Sequence, residues 1–74
     1  MPKYEVVIYN EEVRKLVKMG DKHDRFEDSW ADTHYIDVLA PGEEIARAKI
    51  EKQYPAHQGF VIVEINQEMP ADDF

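Results

Sequence analysis

Apolar and polar residues alternate from Lys3 to Tyr9, with Tyr4, Val6 and Ile8 on one side and Val7 and Tyr9 on the other. That is the period of a β-strand. The period then changes: Val13, Leu16 and Val17 recur at i, i+3 and i+4, the apolar stripe of a helix. Asn10 stands where an N-cap side chain can accept from the free amides of the first turn. Glu11 and Glu12 follow at the positive end of the helix dipole, and Arg14, Lys15 and Lys18 lie toward its negative end. Gly20 is placed to stop the helix in the left-handed conformation. Start, face and stop agree on a helix over about residues 11–19.

Alternation returns between His34 and Leu39, with His34, Ile36 and Val38 on one side and Tyr35, Asp37 and Leu39 on the other. Pro41-Gly42 breaks this strand, and Pro41 suits the first turn of a following helix. That helix opens at Glu43-Glu44 and runs to about Tyr54, where Pro55 prevents continuation. Its expected buried stripe is Ile45, Ala46, Ile50 and Tyr54. Gly59 to Ile65 is apolar on both faces in its middle and reads as the strongest strand, at a central position or with one face covered by something besides the helices.

The order β-α-connector-β-α-β predicts an α+β domain, a three-stranded sheet with two helices packed on one face. Residues 1–66 would form the single domain, and 67–74, without periodicity, a flexible acidic C-terminal tail. One sheet face would then be open. Its apolar candidates are Val7 or Tyr9, Leu39, and either Phe60 with Ile62 or Val61 with Val63. A face of that kind is commonly buried by a twin or a partner.

Composition narrows the class. At 74 residues the chain is near the lower limit for independent folding, and it has no cysteine to supply a disulfide or a thiolate metal site. No apolar run is long enough for a membrane span and no leader pattern is present, so a cytoplasmic protein is expected. The net charge is −7 and unevenly spread: residues 20–35 set Lys22 and Arg25 against five acids, and the last eleven residues hold four acids and no base. No basic stripe exists to neutralise phosphates, which argues against nucleic-acid binding.

The connector from His23 to Tyr35 is the segment that local patterns explain least. It gathers the sole tryptophan, Trp30, with Phe26, Tyr35, two histidines and Asp24, Glu27, Asp28 and Asp32. Were residues 24–33 helical, Asp24, Asp28 and Asp32 would form one ridge and Phe26 and Trp30 another, each four apart. His23, Asp28, Asp32 and His34 offer imidazole and carboxylate donors of the kind divalent metals accept. Asp32 and His34, two apart on a strand, could also interact as an oriented acid–base pair. With Gly20, Gly42 and Gly59 all at element ends, no phosphate loop is present, and no Gly-x-Ser-x-Gly turn occurs.

These features favour a non-catalytic protein-interaction module or small accessory subunit, contacting itself or a partner protein. The expected contact residues are Phe26, Trp30 and Tyr35 with Asp28 and Asp32 as an acidic rim, because interface cores favour aromatics. No cofactor is expected. The alternatives are a metal-dependent or acid–base site on His23, Asp28, Asp32 and His34, or an acidic decoy that occupies a basic groove on a partner.

Overall fold

A computed structural model describes residues 1–69 of the chain. Its elements are β1 (Lys3–Asn10), α1 (Glu11–Lys18), a 3-10 turn (Asp28–Ala31), β2 (His34–Leu39), α2 (Glu43–Gln53), a second 3-10 turn (Ala56–Gln58) and β3 (Phe60–Met69). The strands form one sheet in the order β2-β1-β3, with both outer strands antiparallel to β1. β2 and β3 therefore run parallel to each other, and α2 carries the chain from one across β1 to the other, as a split βαβ unit requires. This is the expected α+β arrangement. The strongest strand by sequence, β3, lies at an edge and not at the centre; the central place belongs to β1, buried at Tyr4, Val6, Val7, Ile8 and Asn10.

The core lies between α2 and one face of the sheet. Val6 and Ile8 of β1 meet Ile50 of α2 and Phe60 of β3, with Ile36, Val38, Ile62 and Ile65 half-buried around them. A second cluster of Tyr4, Ala40 and Ala46 closes the other end, where the small side chain of Ala46 lets α2 lie close to the sheet. Full burial of a side chain such as Ile50 stabilises the fold by about 1.5–3 kcal/mol. Ile45 was an expected core position, yet it is 46% exposed. Ala46 and Ile50, four apart, define the buried line of this helix, and Ile45 lies off it. Pro41 also lies outside the helix, before the N-cap Gly42 and not in the first turn.

The start of α1 is anchored by one buried polar residue. Asn10 is fully buried; its Oδ1 accepts from the Val13 amide at 3.0 Å and its Nδ2 donates to the Gln58 carbonyl at 3.0 Å. The Glu11 amide donates to the Gly59 carbonyl at 2.7 Å. These bonds join the β1–α1 junction to the turn that opens β3. The turn demands glycine: Gly59 has φ of 99°, and a Cβ there would sit 2.7 Å from Asn10 Oδ1.

β3 bears two irregularities against β1. Val7 pairs with Glu64 and Ile8 with Ile62, which leaves Val63 extra; Tyr4 pairs with Gln67 and Lys3 with Met69, which leaves Glu68 extra. The strand thus continues through 67–69, positions expected in the tail, while residues 70–74 lie outside the described residues. No helix of the described residues is long and apolar enough to cross a membrane.

Candidate interaction face

The connector is docked on the core, and it is not the helix that its four-residue spacing suggested. Only Asp28–Ala31 forms a turn of 3-10 helix. Residues 23–26 are held otherwise: His23 Nδ1 accepts from the amides of Arg25 at 3.0 Å and Phe26 at 3.4 Å. With Nδ1 accepting, the ring proton sits on Nε2, which donates to Glu12 Oε1 of α1 at 3.2 Å. Arg14 ties down the other end of the segment. Its Nε donates to the Ala31 carbonyl at 2.8 Å, and its guanidinium lies 3.7 Å from the Tyr9 ring centroid.

Phe26 and Trp30 both pack inward. Phe26 meets Phe60 edge-on at 5.0 Å between ring centroids, and Trp30 meets Phe60 edge-on at 5.2 Å and Tyr54 at 5.5 Å. His34 stacks on Trp30 at 4.0 Å and donates from Nε2 to the Ser29 carbonyl at 2.9 Å. Both connector histidines therefore have structural partners. His34 bonds to Ser29 and not to the neighbouring Asp32, so the expected acid–base pair does not form. Nor do His23, Asp28, Asp32 and His34 converge on a metal position. Among the described residues, the only three-residue group with suitable donor atoms within 4.8 Å of one another is Glu5, Asp37 and Glu68. Asp28 and Asp32 are exposed, one in the turn and one after it.

Tyr35 differs from the other connector aromatics. Strand alternation turns it to the opposite side of β2 from His34, and it is 63% exposed. There it joins Leu39, 58% exposed, and Val63, 54% exposed. The three lie on the sheet face away from α2, so the open face carries Val61 and Val63 of β3 while Phe60 and Ile62 turn inward. Cross-strand register builds the rest of it: Tyr35 opposes Val7, Asp37 opposes Glu5, and Leu39 opposes Lys3. Val7, flanked on both sides in the middle strand, is buried at 6%.

Between Tyr35 and Leu39 a charged row crosses this face. Glu5, Asp37 and Glu68 come from three different strands, and Lys3 Nζ stands 3.5 Å from Asp37 Oδ2 and 3.9 Å from Glu68 Oε1. Partial desolvation at the sheet surface, then Asp37 and Glu5, raise the Glu68 carboxyl above its ordinary value, and Lys3 opposes them. The sequence pattern placed Asp37 between Tyr35 and Leu39 on one side of a strand, but it gave no sign that Glu5 and Glu68 would join it. Their meeting depends on the strand order and on the irregularity at Glu68. No family model matches the chain, and no curated protein or solved structure gives a significant match to it.

Proposed function

We propose that the chain is a non-catalytic protein-interaction module that contacts a partner protein through the open face of its sheet. One observation carries this reading: Tyr35, Leu39 and Val63 are each more than half exposed and stand on the same face of one small sheet. Single exposed apolar residues are ordinary, but several on one sheet face, with a row of carboxylates crossing between them, offer a partner apolar and charged contacts together. The inward packing of Phe26 and Trp30 narrows the contact set expected from the connector to Tyr35, with Asp28 and Asp32 off the face.

The test is affinity capture from the source cell with the wild-type chain, Leu39→Asp and Val63→Asp, each checked for native far-UV CD. A partner retained by the wild type and lost from both folded variants supports the reading. Equal recovery by all three chains contradicts it.

A further inference from the structure

We propose that the occupant of the open face is a cationic amphipathic helix of the partner, its apolar side on Tyr35, Leu39 and Val63 and its arginine or lysine side chains on Glu5, Asp37 and Glu68. This inference rests on the interaction reading above and deepens it.

The width of the sheet selects a helix. Neighbouring strands lie about 4.8 Å apart, so three strands span roughly 10 Å between outer axes, the diameter of one helix with its side chains. On the inner face of the same sheet the 11-residue α2 touches β1, β2 and β3, with Phe26 and Trp30 of the connector covering the rest of the core. A single helix on the outer face would give the sheet a helix on each side.

Charge selects the sign. Glu5, Asp37 and Glu68 hold three carboxylates against the single ammonium of Lys3, and Asp37 stands between Tyr35 and Leu39 along β2. A covering surface that brought no positive charge would desolvate three carboxylates with only Lys3 to offset them, whereas a guanidinium fork pairs with a carboxylate bidentately. The same reasoning disfavours a second copy as the occupant. Two chains of net charge −7 would approach through faces that each carry a carboxylate row.

The test uses a synthetic helix of about four turns, with leucines along one side and arginines flanking them, and a twin with glutamates in place of the arginines. Backbone amide shifts of the labelled, full-length chain are followed during titration. The expected result is saturable perturbation of Glu5, Tyr35, Asp37, Leu39 and Val63 by the arginine helix. The glutamate twin should bind at least about tenfold more weakly, and so should the arginine helix to a folded Glu5→Gln/Asp37→Asn double variant.

Equal binding of both helices, perturbations confined to the connector or α1, or no perturbation at all would overturn the proposal. So would a dimer of the free chain, seen by light scattering, that Leu39→Asp dissociates. The interaction reading fails separately: it falls if Leu39→Asp and Val63→Asp leave the captured native partner in place, whatever the helix does.

Discussion

Trp30→Ala should destabilise this domain strongly and not merely remove a surface contact. Trp30 is half-buried against the core cluster, edge-on to Phe60, inclined to Tyr54 and stacked on His34. Truncating a fully buried aromatic to alanine costs about 3–5 kcal/mol, and each good aromatic pair adds about 0.5–1.5 kcal/mol beyond area burial. Discounting for partial exposure, the loss here is about 3 kcal/mol. A domain of 74 residues has a total stability of roughly 4–11 kcal/mol, so about a quarter or more would disappear. The melting temperature should fall by roughly 12–24 °C. Urea denaturation followed by far-UV CD measures this directly, and Trp30→Phe, which keeps a ring against Phe60, should cost less than half as much. A Trp30→Ala domain within about 1 kcal/mol of wild type, with an unchanged denaturant slope, would refute the docking of the connector on the core.

Three further outcomes test other parts of the account. Asn10→Ala should destabilise by about 2–3 kcal/mol in the same assay, since it removes a helix cap and strips the Gln58 carbonyl of its donor. Gly59→Ala should also be destabilising, by at least about 1 kcal/mol, because its φ is 99° and the new methyl would meet Asn10 and Glu12; a neutral outcome would contradict that turn. Glu68→Gln should raise the melting temperature at neutral pH. A carboxyl with a raised folded pKa binds more protons in the folded state than in the unfolded one, so its charge opposes folding more strongly as pH climbs through that raised value. The advantage of the glutamine should vanish below the ordinary carboxylate range, and a benefit independent of pH would point to packing instead.

The sequence disclosed those parts of the fold that depend on neighbours along the chain. In β2 the alternation assigned Ile36 and Val38 to the core and Tyr35 and Leu39 to the outside, because the side-chain period of a strand is two. Asn10 and Gly20 marked the ends of α1 because capping is a local act. The connector misled for the opposite reason. Asp24, Asp28 and Asp32 are spaced as on a helix, but His23 satisfies the amides of Arg25 and Phe26, and Phe26 and Trp30 are oriented by Phe60, thirty or more residues away.

The end of β3 was hidden in another way. The extra residues Val63 and Glu68 shift the alternation, and the polar run from Asn66 to Glu68 lacks the apolar signal of a strand although it pairs with β1. The charged row was invisible from sequence because Glu5, Asp37 and Glu68 meet only once three strands take the order β2-β1-β3. Tyr35 and Leu39 remain the part of the candidate face that the alternation of β2 exposed beforehand.

The central claim is that the open sheet face, and not the exposed helix surfaces, meets a partner. Hydroxyl-radical footprinting of the chain, free and within its captured native assembly, tests it most directly. The account predicts that Tyr35 and Leu39 lose reactivity in the assembly while Met19 and Ile45, exposed on and beside the helices, keep theirs. Unchanged reactivity of Tyr35 and Leu39, with protection appearing at Met19 or Ile45, would contradict it.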